Sequence, residues 1–288
     1  GGNDVLFQLG ALQAGATAAG QAAGAAAGAQ AFATNLTMAL AAGATNPTTA
    51  AAAIGGAIKT ASAAPGATSA TIVGAAVQAA VIAGNTAVAS AAVYGPLVAK
   101  AQADATVTGN AAGAKAGADY AAAQGPALVA AMKQAGTELV ALVKDQIIAK
   151  GANYVIVNNL PDVAGTPSGL SKDANTKALI NAMVSAFNGE LSGGLSANAK
   201  VLLVDVFAVS HDQGTNPGPY GLTNVSETAC DLSAPGNILG SSLVCNGTNL
   251  KAGDVSHYSY ADDVHPTPFN NLLLARYVAK DMVVRGWL

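Results

Sequence analysis

Between about Ala11 and Gly125 the chain is written almost wholly in Ala, Gly, Thr and Gln, with Lys59, Lys100, Asp104, Lys115 and Asp119 as its only charged side chains there. That stretch constrains the fold more than any other feature. Alanine is the strongest helix former and loses no side-chain entropy on ordering, so the stretch predicts helices. Asn46-Pro47, Pro65-Gly66 and Gly95-Pro96 punctuate it and divide it into several. Gly20, Gly24 and Gly28 recur every four residues and leave one helix face bare, which lets a second helix approach closely. Disorder is the competing reading of any low-complexity stretch. Ile54, Ile58, Val73, Val77, Val81 and Ile82, set among few charges, favour a packed helical cap or insertion over 11–125.

The rest of the chain narrows the class. Of the 288 residues, 51% are hydrophobic and 10% charged, but much of the apolar share is alanine, which buries little area. A net charge of −3 with sparse Lys and Arg excludes the basic face that nucleic acid requires. The segment from Gly74 to Gly95 is broken by Gln78, Asn85, Thr86 and Ser90, so it does not read as a transmembrane span. Cys230 and Cys245, the only cysteines, flank a polar loop and suggest a disulfide and an oxidising compartment; two free thiols are the alternative. His211, His257 and His265 show no zinc-ligand spacing to them.

From Pro126 onward the sequence alternates helix and strand. Pro126 to Lys150 predicts a helix opened by a first-turn proline, with Leu128, Met132, Leu139, Leu142 and Val143 on its apolar face. Gly151 ends it. Tyr154 to Val157 then predicts a strand buried on both faces, Lys172 to Leu191 a helix, and Val201 to Val206 a second strand parallel to the first. A loop-rich region leads to a closing helix over Thr267 to Arg285. Two strands alone leave unpaired edges, so this reading expects further strands from another segment.

The chemistry-bearing stretch is Asp262-Asp263-Val264-His265-Pro266-Thr267. A carboxylate three residues before a histidine has the local makings of a general base with its orienting acid, and the spacing selects Asp262 over Asp263. A helix-entry aspartate beside a surface histidine is the alternative. Asn158, Asn159 and Asp162 follow the first strand, where open α/β sheets bind ligands, and are candidate substrate neighbours as well as ordinary turn residues. His211 and His257 read as surface or packing histidines. Gly240-Ser241-Ser242-Leu243 imitates a nucleophile block but lacks the strand-to-turn setting such a serine needs.

Together, Gly1-Gly2-Asn3-Asp4 and Asp262-Asp263-Val264-His265 resemble the third and fifth sequence blocks of the GDSL, or SGNH, hydrolase family. Supporting stretches are Gly151 to Asp162, Tyr220 to Val225 and His265-Pro266-Thr267, so the resemblance covers 1–10 and roughly 126–288 and leaves 11–125 as an insertion. It implies a three-layer α/β/α, flavodoxin-like parallel sheet, completed by an N-terminal segment that precedes Gly1. It further implies that His265 is the base, Asp262 its partner and Asn3 an oxyanion donor; taken alone, Asn3 reads as a turn residue.

The family's serine block is not found in these residues. The expectation is therefore a secreted, periplasmic or cell-surface bacterial carboxylic-ester hydrolase that needs neither metal nor organic cofactor. Its nucleophile would sit on a preceding segment of the same precursor, or on an N-terminal fragment of it separated by proteolytic processing, and its substrate would be a hydrophobic ester under the alanine-rich cap. Two alternatives stay open: an acyltransferase using the same triad, and a non-catalytic binding protein on a degenerate hydrolase scaffold.

Overall fold

A computed structural model describes residues 2–288, and 68% of the chain is helical. It divides into two compact units, Gly1–Gly10 with Gln124–Leu288, and Ala11–Ala123. Helix α1 runs Gly2–Ala41, α2 Pro47–Ala63, α3 Ser69–Ile82 and α4 Ala91–Leu142. Both α1 and α4 therefore contribute residues to each unit.

Within the unit Ala11–Ala123, α1 and α4 meet backbone to backbone. A Cβ placed on Gly20 would lie 2.8 Å from the Gly113 carbonyl oxygen, and one on Gly24 would lie 2.9 Å from that of Gly109. Glycine is required at such a crossing because any side chain would force the helices apart. A separate apolar cluster is built from Leu36, Leu40, Ile54, Ile58, Ala76, Ala80 and Val88. Asn85, buried, donates its amide to the Leu40 carbonyl at 2.7 Å and so satisfies an orphan acceptor near the end of α1. Asn46 and Thr68 cap the starts of α2 and α3 through side-chain oxygens.

Two breaks expected in the sequence do not occur. Pro96 and Pro126 both lie inside α4, although each removes a helical N–H. Glycine precedes both, and without a Cβ there the usual clash with the proline ring is relieved. Helix α4 closes with a wider π turn over Val143–Ile148, and Gly151, at φ 106°, releases the chain.

In the other unit, β1 (Val155–Asn158), α5 (Pro167–Leu170), α6 (Ala174–Leu195), β2 (Val201–Val204), α7 (Val206–Thr215), β3 (Asn224–Thr228), β4 (Tyr258–Tyr260) and α8 (Pro268–Arg285) follow in order. Strands β1 and β2 pair in parallel, with Val155 opposite Val201 and Asn158 opposite Val204. Helix α6, capped by Asp173, presents Ile180, Met183, Val184, Phe187, Leu191 and Leu195 along one stripe to the core shared with Val5, Met132, Val155 and Val157. β1 is buried on one face only: Val155 and Val157 point inward, while Ile156 is 38% exposed. β2 stops at Val204, because Asp205 caps α7 by accepting from Ala208 N–H.

The expected three-layer α/β/α sheet is not the fold. The β content is two short two-stranded parallel sheets, β1–β2 and β3–β4, in a mostly helical chain. Two strands read from sequence are present, but β3 and β4 pair with each other, Asn224 opposite Tyr258, instead of extending the first sheet. Asn3 lies in α1 rather than in a loop after a strand. Its neighbours run directly into the alanine-rich helix, and Asp4 places a carboxylate in the first turn, where the helix dipole favours it.

Candidate active site

The segment after β4 folds back on itself. Ala261 N–H donates to the His265 carbonyl at 2.8 Å, Tyr260 bridges Pro266, and Thr267 then caps α8 by accepting from Asn270 N–H. This closed turn holds Asp262 and His265 together. Asp262 Oδ1 accepts from Val264 N–H at 3.1 Å and from His265 N–H at 2.8 Å. The imidazole Nδ1 of His265 lies 2.9 Å from each carboxylate oxygen. One aspartate thus fixes both the backbone and the ring of the same histidine, which the three-residue spacing makes possible.

Asp262 is 4% exposed, whereas the His265 side chain is 60% exposed. Burial works to raise the Asp262 pKa. The Ser242 side chain and the N–H groups of His265, Ser242 and Val264 outweigh it and hold the carboxyl well below the usual carboxylate range. The acid is therefore an anion at neutral pH, and the imidazole it holds directs Nε2 away from it.

Ser242 enters from the Cys230–Cys245 loop. Its N–H donates to Asp262 Oδ2 at 2.8 Å. The disulfide is formed, with Cα atoms 6.0 Å apart, and Cys230 N–H donates to the Ala261 carbonyl at 3.0 Å. The bridge therefore ties the Ser242–Val244 turn to the strand end that carries Asp262. Gly240-Ser241-Ser242-Leu243 is not a nucleophile block here: Ser242 contacts the carboxylate of a residue 20 positions further along the chain, and no local pattern signals it. Opening the disulfide with a thiol, or replacing both cysteines with serine, is expected to cost about 3 kcal/mol for a loop of this length. Urea unfolding with and without reductant measures it, and coincident curves would contradict the assignment.

A second pair forms where none was expected. His211 Nδ1 lies 2.7 Å from Asp162 Oδ2, and the ring stacks on Phe207. Asp162 also accepts from Gly165 N–H, and its own N–H donates to Ser210 Oγ at 2.8 Å. The sequence marks Asp162 only as a candidate substrate neighbour and His211 as a surface or packing histidine; they lie 49 positions apart, so nothing local announces the pair. Burial, with Asp162's charge adding to it, pushes the Tyr260 hydroxyl up to about 12 and keeps it protonated.

The other expected residues are placed as follows. Asn3 is exposed in the first turn of α1, and no hydrogen bond joins it to Asp262 or His265 among the described residues. Asn158 is exposed at the end of β1. Asn159 donates to Asp205 Oδ1 and accepts from Phe207 N–H, which spends both ends of its amide on holding the start of α7. His257 is held by the Gly221 carbonyl and stacks on Phe269 at 4.1 Å. Among the described residues no cluster of three or more His, Cys, Asp or Glu could hold a metal ion, and no helix is long and apolar enough to cross a membrane.

No protein-family model and no curated protein matches this chain.

Proposed function

We propose that this chain carries the general-base half of a serine carboxylic-ester hydrolase, in the manner of the GDSL hydrolases its sequence resembles. The observation that carries the reading is the Asp262–His265 pair: a buried anion held by three N–H donors, gripping an imidazole that is open to solvent. His265 Nε2 takes the serine proton as the serine oxygen attacks the ester carbonyl. It returns that proton to the departing alcohol, and water repeats the sequence on the acyl-enzyme. Asp262 fixes the Nδ1–H tautomer and offsets the imidazolium charge.

Among the described residues, the serine joined to this pair is Ser242, and it is joined to the carboxylate rather than to the ring. We therefore assign the attacking serine to a segment of the same precursor outside residues 1–288. The disulfide supports an oxidising compartment, and so a secreted, periplasmic or cell-surface enzyme.

Labelling the native material with a serine-directed fluorophosphonate, followed by peptide mapping, tests this. The expected tag falls on a serine of a companion polypeptide. A tag within residues 1–288 overturns the divided triad, and absence of any tag overturns the serine hydrolase.

One rival base is favoured by a specific observation, since His211 is also exposed and also gripped by a carboxylate. His265→Gln and His211→Gln separate the two. Only the former is expected to abolish turnover.

A further inference from the structure

A cavity of about 120 Å³ lies between α7, the loop after β1 and the start of α8. Val206, Val209, Val264 and Leu274 give it apolar walls. The Thr166 and Ser210 hydroxyls on the same walls are committed: each donates to a backbone carbonyl and accepts from a backbone N–H. Gln213 differs. It lines the cavity and is only 5% exposed, yet no hydrogen bond reaches its side-chain amide among the described residues. An unpartnered amide on a cavity wall is available to a hydrogen-bonding occupant.

Sequence neighbours of both imidazole–carboxylate pairs line the cavity. Val264 and Pro266, on either side of His265, line it, as do Pro161, next to Asp162, and Ser210, next to His211. Its size sets the occupant. It is smaller than the roughly 150 Å³ of a cavity that holds benzene, so a group of about six heavy atoms is the ceiling. Its walls carry no charged side chain, and the buried Gln213 amide, with Tyr260 and Asn271 on the same lining, offers hydrogen bonds.

We propose that this cavity binds a short acyl group, of about two to four carbons, whose carbonyl oxygen accepts from the Gln213 amide. The choice of an acyl occupant rests on the esterase reading above; the existence of the site does not. The substrate class becomes short-chain esters, and long acyl chains are excluded at this position.

The test is a titration of the full chain with butyramide, followed by NMR of the valine and leucine methyls and the glutamine side-chain amides. Saturable shifts are expected at Val209, Val264, Leu274 and the Gln213 amide, with nuclear Overhauser contacts from the ligand methylenes to that amide. Octanamide is expected to bind at least tenfold more weakly. Gln213→Met should weaken butyramide about tenfold while the remaining methyl spectrum stays native.

No saturable shift, equal affinity for octanamide, or wild-type affinity in Gln213→Met overturns the proposal. So do contacts confined to water at Gln213. If the variant does not fold, the contacts in the unsubstituted chain decide. Because binding alone is read, a failed fluorophosphonate experiment with intact butyramide binding removes the esterase reading and leaves the site.

Discussion

Gly24→Leu is expected to lower the unfolding free energy of the unit Ala11–Ala123 by about 3 kcal/mol or more, read as a shift of that unit's urea midpoint at unchanged slope. The cause lies at the crossing of α1 and α4 within Ala11–Ala123. A Cβ on Gly24 would sit 2.9 Å from the Gly109 carbonyl oxygen and 3.5 Å from Gly113 Cα, and one on Gly109 would sit 2.8 Å from the Gly24 carbonyl oxygen. Those oxygens belong to helix backbone and cannot swing aside without leaving their own hydrogen bonds. The helices must separate instead, and the Gly20–Gly113 contact is lost with them. Gly10→Ala in the same helix is the control, because nothing lies within 4 Å of that position. It should stabilise by about 0.5–1 kcal/mol through helix propensity alone. Equal midpoints for Gly24→Leu and the unsubstituted chain would remove the crossing.

Asp262→Asn is expected to reduce ester turnover by about 10⁴-fold, measured as kcat on p-nitrophenyl butyrate with the complete protein. The amide keeps the shape of the carboxylate but presents an NH₂ to a pocket of donors: the N–H groups of Ser242, Val264 and His265, and His265 Nδ1. At least one contact becomes donor against donor. The ring escapes by moving its proton to Nε2, where it can no longer accept one. Undiminished kcat would sink the base assignment.

The same substitution has a pH signature. Asp262's folded pKa lies below its unfolded value of about 4. The carboxylate therefore adds stability that is present above about pH 4 and is lost as pH falls through the folded value. Wild type and Asp262→Asn should accordingly converge in acid and diverge above about pH 4 in urea unfolding.

What the sequence reveals here is local. The Asp262–His265 contact is legible because both residues belong to one turn, and the α6 stripe because its period is that of a helix. The helix-forming bias of the alanine-rich stretch is legible from composition, and its glycine stripe from spacing. Contacts carried by distant segments are not. Nothing near His211 names Asp162, and nothing near Asp262 names Ser242. The sheet misled for a related reason: β1 and β2 read as strands, but whether a sheet grows is decided by partners, and β3 chose β4. Proline misled in the opposite sense. Pro96 and Pro126 are breakers by rule, yet a preceding glycine and a long run of helix formers carry α4 through both.

That last feature bears on how the molecule comes apart. Both helices that pass from one compact unit to the other do so at weak residues: α1 at Gly10, and α4 beside Gly125-Pro126, where one rung of the helical ladder is missing. A helix transmits cooperativity through its consecutive rungs, so these joints act as fuses. Hydrogen exchange should therefore find two blocks with separate protection, each melting without dragging the other with it.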